Sequence, residues 1–440
     1  MSKFRNQHMK ISWEQLAGKC SSQPAASASL AEKSALVGRF GLMMLGVGAG
    51  AYRVRAAMNK ASRAMGISVN ADIGLLSIEY TCVSGNESYT NAISLSRTAV
   101  NTDRLNHLRE FIDIFSRCAD CVSIKEAFDA LDEIENAVPH YSAPILGLAA
   151  ATACAAFTFL LGGGIVEMLC AFFGAGAGNF VRKKLLDRHI TLFANVALGV
   201  AVSCLVYIGL DKAAEALFGV SSGHQAGYIC AMLFVIPGFP LITGGMDLAK
   251  LDLRSGLERI VYALLIVFVA TITGWLCARA FDFAPADFMA FEISEPLKIF
   301  LRLAASFAAV FGFSLMFNSS PRMAFTAGLI GMICNTARLE LLDLTNIPFS
   351  LAAFFAAMAS GLFASAAKRL YGLPRLTITV PSIVIMVPGL FMYRGIYFLA
   401  SENVSEGSLW LLKAALIVCS LTFGLIAARI LTDENFRKNS

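Results

Sequence analysis

Two apolar stretches of this chain carry the same break, Val235-Ile236-Pro237-Gly238-Phe239 in one and Met386-Val387-Pro388-Gly389-Leu390 in the other. A proline inside a helix removes one backbone hydrogen bond and collides with the preceding turn. A glycine beside it lifts the steric restraint on the backbone. In lipid, the freed amide and carbonyl groups persist only where protein or a water-filled cavity receives them. A half-helix that starts at such a break points N–H groups and a positive dipole end at any anion. The segments after Gly238 and Gly389 are therefore candidate carboxylate sites. Thr243, about one turn beyond the first break, adds a hydroxyl suited to an ammonium. The competing reading is a pair of packing kinks filled by neighbouring helices. Recurrence in two halves is the pattern of secondary transporters that bind substrate at a repeat interface.

Other residues could carry transport. Glu167 falls within the apolar part of a span, where a carboxylate is costly and functional by default; it is the proton-coupling candidate, against a wet residue beside Gly162-Gly163-Gly164. Asn179/Arg182 and Asn335/Arg338 end two spans at i and i+3, on one helical face each. They read as access caps or anion-binding groups, or as snorkelling anchors. Asp247 and Arg394 each follow a break and read as gates or interfacial caps. Arg322 stands opposite Glu167 at a repeat offset of 155 residues. Cys118-x-x-Cys121 lacks the second ligand pair of a zinc site, so no metal and no cofactor is expected. The chain has no Walker phosphate loop, which argues against ATP-driven transport by this chain alone. It also shows no nucleophile–base constellation.

The elements that position these residues are membrane helices. The 440 residues are 57% hydrophobic and 15% charged, with mean hydropathy +0.65; soluble domains carry about 25% charged residues. Charges concentrate in residues 1–142, so a polar tail (1–34) and a soluble module (35–142) are expected before the membrane part. A span needs about 20 apolar residues, and ten candidates follow: 143–161, 164–181, 190–210, 227–246, 259–281, 296–317, 321–337, 348–366, 377–400 and 409–431. Residues 35–51 are apolar but short and hold Arg39, which argues against an eleventh span. Arg182, Lys183, Lys184 and Arg188 after the second span, and Lys368, Arg369 and Arg375 after the eighth, mark cytoplasmic loops. Acids Asp282, Asp287, Glu292 and Glu295 lie between the fifth and sixth spans, and Arg429, Arg437 and Lys438 in the tail. Both termini are then cytoplasmic, in a multi-pass protein with a cytoplasmic tail from residue 432. The net charge of +5 lies largely at span ends, so lipid and not nucleic acid is the expected partner. Eleven scattered cysteines read as apolar filler in a reducing compartment, not a disulfide framework.

The halves match in order: Phe157-Thr158-Phe159 with Phe311-Gly312-Phe313, Asn179/Arg182 with Asn335/Arg338, and Pro237-Gly238 with Pro388-Gly389, at offsets of 154, 156 and 151 residues. Five spans per half (143–281 and 296–431) is odd, so the second half enters from the opposite side. The fold class is a polytopic α-helical membrane protein of ten transmembrane helices in two inverted five-helix repeats, with a cytoplasmic α/β module. In that module 51–65, 101–118 and 124–136 read as helices, and 73–83 with 88–96 as a hairpin about Ser84-Gly85-Asn86.

The string Gly48-Ala49-Gly50-Ala51-Tyr52-Arg53-Val54-Arg55-Ala56-Ala57-Met58, the segment Val100-Asn101-Thr102-Asp103-Arg104-Leu105, and the run Pro237-Gly238…Asp247-Leu248…Ser255-Gly256…Arg259 together resemble the bacterial threonine/serine exporter family. Phe317-Asn318, Arg338 and Pro388-Gly389 resemble that family's second domain. The resemblance implies ten spans in the bacterial cytoplasmic (inner) membrane and proton-driven export of L-threonine and L-serine. Relatives split into two subunits are associated with dicarboxylate (succinate) export, which is the alternative substrate class. A membrane-anchored hydrolase with a catalytic N-terminal module is the rival of another class. The module itself is expected to gate, regulate or assemble with a second copy as a homo-oligomer.

Overall fold

A computed structural model describes residues 11–17, 22–219, 222–283, 288 and 293–437. Asp287, Glu292, Lys438 and parts of the expected N-terminal tail lie outside them. The chain divides into two compact units, residues 1–139 with 243–260, and residues 140–242 with 261–440.

The first unit opens with α1 (Trp13–Ala17), α2 (Leu30–Gly46) and α3 (Ala51–Ala64). Ser29 and Glu32 form a capping box that starts α2, satisfying orphan amides at its first turn. Over residues 35–51 the structure has most of α2, whose 17 residues are not among the described helices long and apolar enough to cross a membrane. Arg39 is buried, and its guanidinium reaches Asp132 at 2.5 Å and Glu135 at 3.0 Å. Three antiparallel strands follow, β1 (Ser68–Ile73), β2 (Ser77–Ser84) and β3 (Glu87–Ser94), in the order β1-β2-β3. The expected strand 73–83 is in fact two. Ile73 ends β1 and pairs with Ile78 of β2, and the Gly74 amide donates to the Ser77 carbonyl across the turn. Apolar Leu75 and Leu76 hide this turn from a hydropathy reading. Helices α4 (Thr102–Cys118) and α5 (Ile124–Asn136) close the unit, capped by Asn101 and Ser123.

Tyr80 of β2 is buried beneath α2 and donates to the Ser34 carbonyl at 2.9 Å. Burial pushes its hydroxyl up to about 12, so it remains a donor at any physiological pH. A Cβ on Gly38 would stand 2.0 Å from that oxygen. Gly38→Ala is therefore expected to destabilise this unit by about 1–3 kcal/mol, read as faster amide exchange in β2 of the full-length protein.

The second unit holds α6 (Ala143–Leu160), α7 (Ile165–Asp187), α8 (Leu192–Phe218), α9 (Tyr228–Ala231), α10 (Gly238–Ala249) and α11 (Leu253–Ala280). Then come α12 (Glu295–Met316), α13 (Pro321–Leu344), α14 (Phe349–Tyr371), α15 (Arg375–Ile383), α16 (Gly389–Ala400), α17 (Val404–Thr432) and α18 (Glu434–Arg437). Parts of α10 and α11 belong to the first unit. Among the described residues seven helices are long and apolar enough to cross a membrane, and two bent pairs bring the number to nine. The seventh expected span, 321–337, is the one left over; it lies in α13, which has 24 residues but is broken in hydropathy by Asn335, Thr336 and Arg338.

The α6–α7 and α12–α13 turns are alike, bond for bond. Gly163 N donates to Thr158 O at 2.9 Å, and Ser319 N to Ser314 O at 3.0 Å. Gly162 and Asn318 both take positive φ, 101° and 54°. This sets the local offset at 156 residues, so Met323, not Arg322, is the counterpart of Glu167. The first helices of the halves run antiparallel. The His140 amide, before α6, donates to Asn318 Oδ1 after α12 at 3.0 Å, and Tyr141 Oη donates to the Ser319 carbonyl. At the other end Leu160 and Leu161 share a cavity with Arg302.

Candidate functional site

Both sequence breaks are real bends. The segments Tyr228–Val235 and Gly238–Ala249 meet at 54°, and Arg375–Met386 and Gly389–Ala400 at 47°. Each proline ends one helical piece, and each glycine begins the next.

The two bends face each other inside the protein. A Cβ on Gly238 would meet Val384 Cγ2 at 2.8 Å and Val387 Cγ2 at 3.1 Å. A Cβ on Gly389 would meet Leu233 Cδ2 at 2.9 Å and Ile236 Cγ1 at 3.1 Å. The contacts are reciprocal, since 233, 236 and 238 map onto 384, 387 and 389 by one offset of 151 residues. Residues before each break are held in a matching way. Ser203 of α8 donates to the Ala231 carbonyl at 2.6 Å, and Ser360 of α14 shares a hydrogen bond with Ser382 at 2.5 Å. Across the bends, the Tyr228 and Tyr393 hydroxyls bond at 2.5 Å, with their rings edge to face. The first amides after each break bond back across it, Gly238 N to the Ile236 carbonyl at 2.9 Å and Gly389 N to the Val387 carbonyl at 2.8 Å. Thr243 is buried further along α10.

The remaining named residues scatter. Glu167 is 1% exposed; its Oε2 accepts from the Gly164 amide at 3.0 Å, and its Oε1 stands 2.8 Å from His224 Nδ1. Asn179 donates to the Leu146 carbonyl at 2.7 Å. Asn335 donates to Ser306 Oγ at 2.9 Å and accepts from Arg338 Nε at 3.1 Å. Arg182 Nε is buried with no hydrogen-bond partner. Arg322 covers the Tyr371 ring at 5.8 Å, and Arg394 the Trp410 ring at 5.0 Å. Asp247 pairs with Arg259 at 3.2 Å in the first unit. Thus the structure brings Gly238 and Gly389, with the prolines before them, together, and Arg394 acts on Tyr228 nearby.

Sequence reading missed three groups. Asp211 is buried within α8, both carboxylate oxygens without a hydrogen-bond partner. His224 meets Glu167 from a loop 57 positions on. Arg302 pairs with Glu340 at 2.7 Å and Asp343 at 2.8 Å beside a cavity of about 480 Å³. No sequence motif announces the last two; Asp211 was visible as the charge that ended the expected third span.

Seven apolar helices and two bent pairs among the described residues make this a multi-pass membrane protein. The chain belongs to the threonine/serine exporter family. Residues 35–281 match the family described as "Putative threonine/serine exporter", and residues 302–431 match "Threonine/Serine exporter, ThrE". Among curated relatives it is 24% identical to the "Probable succinate transporter subunit YjjP" of Escherichia coli, over 54% of this chain and 90% of the relative. It is 25% identical to the "Threonine/serine exporter" of Corynebacterium glutamicum, over 67% of this chain and 60% of the relative. No solved structure matches.

Proposed function

We propose that this protein is a secondary exporter of small hydrophilic amino acids, L-threonine and L-serine, driven by protons. It works by alternating access between two inverted five-helix repeats in the bacterial inner membrane, with both termini cytoplasmic. One observation carries the reading: the Pro-Gly breaks of the two halves pack on each other reciprocally within the protein. Antiparallel α6 and α12 support the inversion. In this reading the substrate carboxylate takes the first-turn amides of α16, and the Tyr228–Tyr393 hydroxyls serve the ammonium. Rocking of one repeat against the other opens the bends alternately to either side.

A dicarboxylate is the second reading. It is favoured by the succinate transporter subunit among the relatives and by Arg182 and Arg338, for which no acidic partner stands within ion-pair distance among the described residues. The test is uptake of labelled threonine, serine and succinate into inverted vesicles, with and without a proton gradient. Saturable, gradient-dependent threonine uptake is expected; uptake of succinate alone would move the assignment to dicarboxylates, and uptake of none of the three would remove it. Arg182 precedes a loop expected on the cytoplasmic side, the outer face of such vesicles. Arg182→Gln is expected to raise KM about tenfold, the loss of one charge-assisted hydrogen bond worth about 1.4 kcal/mol. An unchanged KM would leave Arg182 as a lipid anchor.

A further inference from the structure

A carboxylate inside a membrane protein needs donors or a positive charge, and Asp211 has neither within bonding distance. It is 1% exposed, and both its oxygens lack hydrogen-bond partners. The pieces around it are built closely. Tyr207, one turn earlier on the same face of α8, donates to the His224 carbonyl at 2.7 Å. That bond fixes the backbone of the loop, while the His224 ring lies against Glu167. Gly227 allows the approach: a Cβ there would stand 2.2 Å from Tyr207 Oη and 2.9 Å from Glu167 Cβ. The His224 side chain keeps 15% of its area exposed, against 1% for Glu167. The charged and titratable groups that act on Asp211 are Glu167 and Cys170 from α7, Tyr207, Lys212 and Glu215 from its own helix, and His224 from the loop.

We infer that Asp211 is the cation-binding carboxylate of the carrier, with a proton as occupant, and that the His224–Glu167 contact is the door through which the proton reaches it. The inference rests on the proton-coupled reading above and places the coupling group at Asp211, not at Glu167. Glu167 already has two neighbours in contact, the Gly164 amide and the His224 ring. Binding is a simple protonation, in which the Asp211 carboxylate takes a proton from the His224 imidazolium, leaving neutral imidazole, or from hydronium, leaving water, and becomes a carboxylic acid. Neutralising it removes a buried charge that has no hydrogen-bond partner, which frees α8 to move relative to the loop.

The test is infrared difference spectroscopy of the full-length protein in lipid nanodiscs, between acid and alkaline buffer. A carboxylic C=O band of a group in apolar surroundings is expected in the wild type, absent in Asp211→Asn, and restored at a shifted frequency in Asp211→Glu, which guards against a folding artefact. Glu167→Gln should keep the band and move its pH midpoint. A band that survives Asp211→Asn, or that vanishes in Glu167→Gln, overturns the assignment. Loss of the wild-type band on adding sodium at fixed pH overturns the proton as occupant. This arm needs no substrate, so a carrier that moves none of threonine, serine or succinate counts against the proposed function and not against this site. In vesicles, Asp211→Asn is expected to bring gradient-driven accumulation down to the gradient-free control; undiminished accumulation overturns the coupling role.

Discussion

Arg259→Met is expected to destabilise the first unit by about 3–5 kcal/mol, and adding Asp247→Asn is expected to recover most of that loss. Arg259 and Asp247 are 2% and 0% exposed, and their side chains meet at 3.2 Å. The carboxylate also accepts from the Ala51 amide at 3.1 Å and Ser255 Oγ at 2.9 Å. The guanidinium donates to the Ala49 carbonyl at 2.6 Å. Helix α3 starts at Ala51 with Gly50 as its cap, which has no side chain to offer. Asp247 supplies the missing acceptor from 196 positions away and places a negative charge on the positive end of the helix. Removing the arginine strands that buried charge, whereas adding Asp247→Asn leaves an amide oxygen that still accepts from Ala51 and loses only the charge at the helix end, costing about 1 kcal/mol. The check is amide-exchange protection of α3 in the full-length protein across the four members of the cycle. A coupling below about 0.5 kcal/mol would show that the pair is only a local neighbour of the helix.

That pair also shows where sequence reading stops. Asp247 reads as a gate or a cap because it follows a break, and Gly50 stands out only within a string shared with a family. A Cβ on Gly50 would lie 2.6 Å from Asp247 Oδ1, so the small residue is there for the acid, but nothing in linear spacing joins positions 50 and 247. Membrane helices were legible because apolar length is a local property. Their ends were less so. The expected third span stops at residue 210, at the first charge, whereas α8 runs to Phe218, because an acid enclosed by protein does not end a helix as one facing lipid would. Glu167 was legible as an acid in an apolar run. Its partner His224 was not, since a lone histidine in a polar loop has no periodicity to place it. The Glu167–Arg322 equivalence failed by one residue. Offsets drift between 151 and 157 along the halves, and only the shared turn at Gly162 and Asn318 fixes the local value.

The breaks were the most legible feature, and their mutual contact yields the second large expectation. Gly238→Leu and Gly389→Leu should each reduce transport roughly a hundredfold or more, equivalent to about 2.7 kcal/mol on the rate-limiting step, while the protein still inserts in the membrane. In each case the new side chain must enter space already held by the other half: Val384 and Val387 for Gly238, Leu233 and Ile236 for Gly389. A packed interface is bistable and does not deform by degrees, so a wedge at the bend biases the carrier toward one arrangement and slows the exchange between them. A milder pair separates contact from mere local strain. Gly238→Ala places one methyl 2.8 Å from Val384 Cγ2, an overlap that costs about 1–3 kcal/mol if the neighbour cannot yield. Val384→Ala removes the atom it strikes. If the bends work against each other, Gly238→Ala with Val384→Ala should transport better than Gly238→Ala alone, and Gly389→Ala should be relieved in the same way by Leu233→Ala. Uptake in inverted vesicles measures all of these against wild type. Rescue on one side only would mean that the two halves do not share the contact in function. No rescue on either side would mean that the glycines serve their own helices, and the facing bends would then be packing kinks with no part in moving substrate.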